Sequence, residues 1–497
     1  PDTMVSVSCA VFAARAVPRA PSASRSPTRL AAARDGDASA SSSSSSAVPS
    51  PPPRRDYASL FARGAEGGCP PLFLAPMEGL GDRRLRRALA RSTGGFDEAC
   101  REFTRVPGAL SQGAKPEKLL RGIALNGYAA DELLLLGEDF SAEERNLLAA
   151  QLMGSNPDLI EQCAKFLATE GNAPRVDLNC GCPANVVTGK GAGSSLLRDP
   201  EAVYDCVAAV SRGVAGTGCA VSLKLRSGYD DRGLLKENLL AAQAGGAQFV
   251  TLHPRTRREG YTGNARWEDI AFAVDLLDVP VVGNGDVTSP AKAFELVERT
   301  NCAGVMIGRG AVQDPLIFRR IKAAFAERRR DLSGEESEKS ENFAKAETER
   351  DGAFLFGDHD ENEPAAITRF LRAFAAEAFA GEALPGTRVR ASKRLSASDL
   401  EKFKLGKLKQ VCKYLFAANP GLTPYLAEVL TADADAGADA EATLARIERL
   451  VEAHWRPPED VLVDAFSMRA GYERGMRDGG KAVQSTFVTA KSRTEEE

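Results

Sequence analysis

The sequence lacks several features that would place it in common protein classes. No apolar run approaches the roughly 20 residues that a membrane-spanning helix needs, so we expect a soluble protein. The ten cysteines lack the regular spacing of a disulfide framework, which predicts thiols in a reducing compartment. Cys180 and Cys182 have no second cysteine pair or histidine near enough in sequence to complete a zinc site, so we expect no metal.

The first ~55 residues differ from the rest of the chain. They are rich in Ala, Ser, Pro and Arg, have almost no acids before Asp35, and contain six consecutive serines from Ser41. Such a composition cannot bury a core and is typical of an organelle transit peptide, with a merely disordered tail as the alternative. We therefore expect import into a plastid or mitochondrion, with a cytoplasmic protein as the alternative. Because Pro1 cannot initiate translation, Met4 is the expected start.

Charge is distributed unevenly along the chain. The formal net charge is −4, but residues 331–363 alone carry twelve acids against three bases. Residues 388–413 carry nine bases against two acids, and this basic segment includes Lys407 and Lys409. A basic segment of this kind is what a nucleic-acid phosphate backbone requires, although a solvated helix face is the alternative.

Short apolar runs alternate with amphipathic stretches from about residue 70 to 328. The eight runs are bounded mostly by Gly, Pro or Asn, as strands are, and they fall at residues 71–75, 96–103, 149–153, 175–178, 220–225, 248–252, 279–282 and 304–307. Several of the stretches between them begin with proline, which suits the first position of a helix. Eight strands alternating with helices over roughly 250 residues predict a (β/α)8 TIM barrel rather than a doubly wound sheet.

The domain boundaries follow from these patterns. We predict a disordered transit-peptide-like segment (1–60), a catalytic barrel (68–328), an acidic linker or insertion (329–364), a small α-helical domain (365–480) and a disordered tail (481–497).

Polar residues follow nearly every predicted strand, where a barrel keeps its active site. Cys182 lies in a glycine-rich loop after the fourth strand and is suited to donate a proton to a substrate. Lys224 and Arg226 end the fifth strand, and His253 ends the sixth, followed by Arg255. The glycine-containing ends of strands seven and eight, with Arg309, are typical of a phosphate site. Together they predict a phosphorylated cofactor.

The ordered set of motifs resembles the tRNA-dihydrouridine synthases, and the bacterial C-type branch most. The likeness is dense from about residue 70 to 328 and looser around Lys407-Leu408-Lys409-Gln410. The matching segments are Ala75-Pro76-Met77-Glu78-Gly79, Gln151-Leu152-Met153-Gly154, Asp177-Leu178-Asn179-Cys180-Gly181-Cys182-Pro183 with Val187, Lys224-Leu225-Arg226, His253-Pro254-Arg255-Thr256, Asn284-Gly285-Asp286 and Met306-Ile307-Gly308-Arg309-Gly310. Pro254 and the acidic insertion depart from the pattern of that branch and leave the choice of uridine open.

The resemblance implies an FMN cofactor reduced by NADPH, with Cys182 as the proton donor for a D-loop uridine of tRNA. It also implies the residues that hold the flavin, which are Pro76, Met77, Glu78, Gln151, Lys224, His253, Asn284, Gly285, Asp286, Gly308 and Arg309. We expect the substrate or tRNA to contact Arg226, Arg255, Lys407 and Lys409, and the protein to be a monomer. The alternatives are an FMN-dependent barrel reductase of a free pyrimidine and a non-catalytic tRNA-binding protein.

Overall fold

The computed structural model describes residues 54–110, 115–126, 128, 148–183, 191–333, 362–379, 396–432 and 437–458. The described residues therefore exclude most of the predicted leader, residues 334–361 of the predicted acidic linker, and the predicted C-terminal tail. They also exclude residues 184–190, which follow Cys182, and residues 380–395, which include the start of the basic segment (388–395).

The described strands close into a parallel barrel. They are β1 (Leu72–Leu74), β2 (Glu98–Cys100), β3 (Thr104–Arg105), β4 (Leu148–Met153), β5 (Arg175–Cys180), β6 (Ala220–Arg226), β7 (Phe249–His253), β8 (Val281–Asn284) and β9 (Gly304–Ile307). Each strand from β4 to β8 pairs in parallel with the next strand along the chain. In the same way, β9 pairs with β1, and β1 pairs with β2. Both β2 and β3 pair with β4, so they act as one interrupted strand. The (β/α)8 prediction is confirmed.

Helices separate the strands and form the outer layer of the barrel. They are α1 (Tyr57–Gly67), α2 (Arg83–Ser92), α3 (Pro116–Leu125), α4 (Pro157–Thr169), α5 (Pro200–Val214), α6 (Leu235–Ala244), α7 (Glu268–Leu276), α8 (Pro290–Thr300), α9 (Gly310–Gln313) and α10 (Ile317–Ser333), with a 3-10 turn at Gly193–Arg198. Pro157, Pro200 and Pro290 each open a helix, as the sequence predicts. The preceding Asn156, Asp199 and Ser289 side chains accept hydrogen bonds from free N–H groups of the first turn, which stabilises each helix start.

Aromatic side chains and helix α1 close the floor of the barrel. Tyr57 and Phe61 of α1 pack against Phe249 with ring centroids 5.5 and 5.3 Å apart, and Phe73 lies 6.0 Å from Phe249. Residues 57–60, which the sequence assigned to the leader, therefore begin a helix that is part of the barrel. Burial of Tyr57 is the physical reason, since its ring completes the apolar floor.

Above this floor lies an ionic layer centred on Arg175. The guanidinium pairs with Glu98 and, at 3.0 Å, with Asp177, and it lies 5.0 Å from the centre of the Phe249 ring. The Tyr57 hydroxyl donates to Glu98, and burial raises the pKa of this tyrosine well above its usual range. Both carboxylates pair with one buried cation. Removing any one of the three residues would leave a buried charge without full compensation, so the layer is stable only when all three are present.

The helical part packs beside the barrel through α11 (Glu363–Phe379), α12 (Ala397–Ala418), α13 (Leu426–Thr431) and α14 (Ala440–His454). Arg87 of α2 pairs with Glu377 of α11 at 2.7 Å. At the junction with α10, Arg320 pairs with Glu363, which also accepts a hydrogen bond from the Trp455 indole at 2.9 Å. In the described part of the chain, no helix combines the length and apolar character that a membrane span requires.

Removing the Phe249 ring should test the closed floor. Phe249→Ala is expected to lower the free energy of unfolding by about 3–5 kcal/mol, because the ring is fully buried against three other aromatic rings. Urea denaturation of the purified chain measures this loss. Phe272→Ala is the matched control, because that ring is 43% exposed and should cost less than about 1 kcal/mol. Equal losses in the two variants would contradict this packing.

Candidate active site

The two cysteines at the end of β5 lie in different environments. Cys180 is 0% exposed and belongs to the apolar core outside the barrel strands, where burial raises the pKa of its thiol well above the usual range. Cys182 lies at the barrel mouth beside Met153 and Ala192, with Phe103 against the same cluster. The geometry thus separates a packed thiol from one at the mouth.

Within the described residues, no group of three or more side chains could hold a metal ion.

A short turn fixes the backbone at Cys182. The Asn179 side-chain oxygen accepts hydrogen bonds from the N–H groups of Gly181 and Cys182, at 3.0 and 2.9 Å. An asparagine that bonds the backbone two and three residues ahead bends the chain, and this ends β5. The Cys182 carbonyl accepts from the Ser194 hydroxyl at 2.9 Å, which holds the loop from its other side.

The loop after β1 brings a carboxylate to this thiol. The Cys182 thiol donates to Glu78 Oε2 with a sulfur–oxygen distance of 3.7 Å, and Arg105 pairs with Glu78 Oε1 at 2.7 Å. Glu78 is one of the predicted flavin-lining residues, and it faces the predicted proton donor. The adjacent Gly79 N–H donates to Glu102 at 2.8 Å, which anchors the loop.

Lys224 lies in the barrel mouth and reaches β8. Its ammonium donates to Asn284 Oδ1 at 3.1 Å, and the Asn284 amide donates to the Met306 carbonyl at 2.8 Å. Burial, together with the positive charge of Arg226, lowers the pKa of Lys224 to about 8. Because burial disfavours the charged form of this lysine, an anionic group that enters the mouth would be a favourable partner for it.

His253 lies at the end of β7 among cations. Burial, followed by the charges of Arg226, Lys224, Arg255 and Arg309, lowers the pKa of His253 well below its usual range. The imidazole is therefore neutral at physiological pH, so one ring nitrogen donates and the other accepts a hydrogen bond.

The ends of β8 and β9 form a cradle for an anion. Gly285 has φ +112°, and a Cβ there would lie 3.1 Å from both Ala265 Cβ and His253 Cδ2, so only glycine fits without strain. Among the described side chains, Arg309 Nη1 is buried and has no hydrogen-bond partner. The Arg309 guanidinium also lies 4.6 Å from the centre of the Tyr261 ring. A buried donor without a partner fits the phosphate group that the sequence predicts here.

Three predicted site residues form contacts within the protein that occupy their charged groups. Arg255 is 1% exposed and forms a two-point pair with Asp286, at 2.8 and 2.7 Å, and the Ala265 N–H also donates to Asp286. Arg226 is buried and donates to the carbonyls of Gly181, Thr256 and Gly260. These arginines hold loops together, so neither offers its charge at the surface, and the Asp286 carboxylate is committed to Arg255.

Lys407 is also committed to a contact within the protein. Its ammonium pairs with Asp82 at 3.1 Å, and Gln410 on the same helix donates to the Gly79 carbonyl. These bonds join α12 to the loop after β1. Lys409 is partly exposed on the same helix. The predicted tRNA contacts of both lysines stay predictions.

Tyr261 and the ionic layer were not predicted from the sequence. The Tyr261 ring lies 5.1 Å from the Arg226 guanidinium and 6.0 Å from the His253 ring, in addition to its contact with Arg309. An aromatic residue between Gly260 and Gly263 in the loop after β7 was the available signal. The ionic layer gave no local signal, because Glu98 and Arg175 are far apart in sequence.

The fold and site define a barrel enzyme with an anion cradle and a thiol at the mouth. The family model described as dihydrouridine synthase (Dus) matches residues 128–350. The tRNA-dihydrouridine(16) synthase of Cupriavidus necator is 39% identical over 251 residues, which is 50% of this chain and 73% of that protein. That of Ralstonia nicotianae is 37% identical over 255 residues, covering 51% and 73%. The chain belongs to the dihydrouridine synthase family, as the motifs predict, and these relatives agree with the C-type branch.

Solved structures give weaker matches. The old yellow enzyme homologue from Zymomonas mobilis is 12% identical, with a TM-score of 0.32, and the match covers 51% of this chain and 88% of that one. A likeness this low carries no functional argument.

Replacing Lys224 should expose the cost of holding a cation in the mouth. Between its folded pKa of about 8 and the ordinary value of 10.5, the unfolded state binds more protons, so stability rises with pH across this window. Lys224→Met should therefore stabilise the flavin-free protein by about 1–3 kcal/mol near pH 7. This gain should shrink as the pH rises through the window.

Urea denaturation at several pH values measures the effect, with Lys236→Met on the exposed face of α6 as the matched control. That variant should follow the wild-type protein at every pH. A Lys224→Met variant that is less stable than the wild-type protein near pH 7 would contradict the burial penalty.

Proposed function

We propose that this chain is a tRNA-dihydrouridine synthase that uses FMN and NADPH to reduce a D-loop uridine, at position 16 of tRNA. Family membership already makes it a flavin-dependent oxidoreductase acting on uridine in tRNA. The observation that carries the proposal is the Cys182 thiol at the barrel mouth, which donates to Glu78 and lies close enough to Arg226 for their charges to interact. The choice of position 16 is supported by the relatives from Cupriavidus necator and Ralstonia nicotianae, which are tRNA-dihydrouridine(16) synthases.

The residues of the mouth suit a flavin mononucleotide. The unpartnered Arg309 Nη1 and the Gly285 backbone would hold its phosphate, and Lys224 would bring positive charge to its ring. A bound flavin, reduced by NADPH, would supply the hydride for C6 of the uracil ring.

Cys182 then completes the reduction by giving its proton to C5 of the uracil. The contact with Glu78 holds that proton on Sγ until the substrate arrives, because a carboxylate oxygen accepts the S–H hydrogen. The neutral His253 ring and the Lys224 ammonium offer hydrogen bonds to the uracil carbonyl groups, where negative charge develops.

The substrate uridine must leave the base stack to reach this mouth. We infer that the helical part holds the tRNA while the base enters, with Lys409 at the phosphate backbone. The contacts of Lys407 and Gln410 with the loop after β1 support this, because they put α12 beside the mouth. We also propose import into an organelle, which rests on the composition of the first ~55 residues.

A direct assay tests the proposal. The purified chain should be yellow and should form dihydrouridine at position 16 when given NADPH and tRNA from a host that lacks dihydrouridine synthases. Nucleotide-resolution mapping of the product identifies the position. A colourless protein would contradict the enzyme assignment, whereas reduction of free uracil without tRNA would favour a free-pyrimidine reductase.

Two cysteine variants separate the proton donor from its neighbour. Cys182→Ala should lower kcat by about 10²-fold or more, because a positioned general acid contributes that much. Cys180→Ala should keep most of the activity and instead lose stability, since Cys180 packs in the core. Single-turnover assays and thermal melts of the flavin-loaded variants measure both effects. Equal losses of kcat would show that the two thiols act together or that the wrong one was chosen.

The two lysines of α12 should also be separable. Lys409→Glu is expected to weaken tRNA binding and to reduce the salt dependence of binding by about one phosphate contact. Lys407→Glu should mainly lower thermal stability, because it places a second carboxylate beside Asp82. Filter binding across a salt series and thermal melts distinguish the two outcomes. An unchanged salt slope in Lys409→Glu would leave that residue as part of a solvated helix face.

A further inference from the structure

A chain of hydrogen bonds links the ionic layer of the barrel to the turn at Cys182. Asp177 Oδ2 accepts from Gln151 Nε2 at 2.7 Å, and Gln151 Oε1 accepts from Asn179 Nδ2 at 2.9 Å. Asn179 Oδ1 then accepts from the backbone of Gly181 and Cys182. We propose that Asp177 is a positioning residue that sets the orientation of two amide side chains and, through them, the turn that presents Cys182.

The polarity of this chain follows from the acceptor-only character of a carboxylate. Asp177 can only accept, so Gln151 must turn its NH2 group toward Asp177 and its oxygen toward Asn179. Asn179 must then turn its NH2 group toward Gln151, which leaves its oxygen for the two N–H groups of the turn. Each amide has one orientation that satisfies both of its neighbours.

The other oxygen of Asp177 faces donors as well. Asp177 Oδ1 accepts from Arg175 at 3.0 Å and from the Ser222 hydroxyl. Both residues are fully buried, and the Arg175 guanidinium keeps a negative partner favourable at this place. The orientation of Oδ2 toward Gln151 is therefore fixed by the ionic layer.

A change of Asp177 to asparagine should reverse the chain. Oδ1 of the new amide would stay with Arg175 and Ser222, so its NH2 group would face Gln151. Gln151 would turn over, Asn179 would follow, and the Asn179 NH2 group would face the N–H groups of Gly181 and Cys182. Donor would then meet donor, and the turn would lose both of its side-chain hydrogen bonds.

The double variant Asp177→Asn with Gln151→Glu should restore the turn. A glutamate at 151 accepts from the asparagine at 177 and also from Asn179 Nδ2, so Asn179 returns to its native orientation. The net charge equals that of the wild-type protein. This rescue separates orientation from a general loss of structure, because the double variant carries more changes in the core than the single one.

The readout is the rate of iodoacetamide alkylation of Cys182, followed by mass spectrometry on the full-length protein as isolated. Asp177→Asn should raise this rate about tenfold, which is the size expected when buried donors of the turn lose their partner. It should also lower kcat about 10²-fold, the usual cost of a misplaced reacting group, while KM for tRNA stays the same. The double variant should return the alkylation rate to within about threefold of wild type.

Asn419→Asp is the matched control for amide–carboxylate exchange in a buried turn. Asn419 makes the same kind of turn in the helical part, with its oxygen accepting from the N–H groups of Gly421 and Leu422. Its exchange should leave the alkylation rate of Cys182 unchanged. If Asp177→Asn does not fold, Asn179→Ala removes the turn bonds directly and should reproduce the faster alkylation.

The outcomes separate the inference from the proposed function on which the role of Cys182 rests. Faster alkylation in Asp177→Asn with rescue in the double variant supports the inference, even if the wild-type protein fails to reduce tRNA. Wild-type alkylation in Asp177→Asn or in Asn179→Ala overturns it. A double variant no better than Asp177→Asn also overturns it, because orientation would then not be the property that Asp177 supplies.

Discussion

The buried pairing of Arg175 with Glu98 and Asp177 is the constraint on which the barrel interior depends. The guanidinium lies between the aromatic floor and the mouth, and it meets Phe249 below and Asp177 above. Removing one partner of a buried ion pair costs about 3–5 kcal/mol, because the remaining charge is left without compensation. The layer therefore positions both α1 at the floor and the Asp177–Gln151–Asn179 hydrogen-bond chain above it. The shape of the mouth depends on both.

Several positively charged side chains lie above this layer, and their burial lowers the free energy of unfolding of the flavin-free protein. Burial, and then the charges of Arg226, Lys224, Arg255 and Arg309, lower the pKa of His253, and burial followed by the charge of Arg226 lowers that of Lys224. Arg255 offsets its own burial by pairing with Asp286, and Arg226 does so through backbone carbonyls. Arg309 Nη1 has no hydrogen-bond partner among the described residues, and the Lys224 ammonium donates to the uncharged Asn284 side chain. An anionic ligand, such as the flavin proposed above, would therefore relieve this unfavourable arrangement.

Local patterns predicted the framework well because it depends on local chemistry. Strand alternation, and proline at helix starts, gave the barrel and the strand ends that carry Lys224, His253 and Arg309. Long-range partners decided the rest. Arg255 and Asp286 are 31 residues apart, and Lys407 and Asp82 are 325 apart, so no pattern in either segment predicted that these charges would pair. The choice of Cys182 over Cys180 stays a prediction, and their different environments depend on the Asn179 turn, which breaks the alternation of β5 after Cys180.

The loop after β1 connects Cys182 with the helical part. Its residues contact Cys182 through Glu78, and they contact α12 through the Gly79 carbonyl and the Asp82 side chain. Movement of α12 on binding a polyanion would therefore be transmitted to the carboxylate that holds the Cys182 proton. The opposite side of Cys182 is fixed by Asn179 and, through it, by the ionic layer of the barrel. The thiol thus lies between one support fixed by the barrel and one support joined to the helical part, an arrangement that would suit the proton donor proposed above.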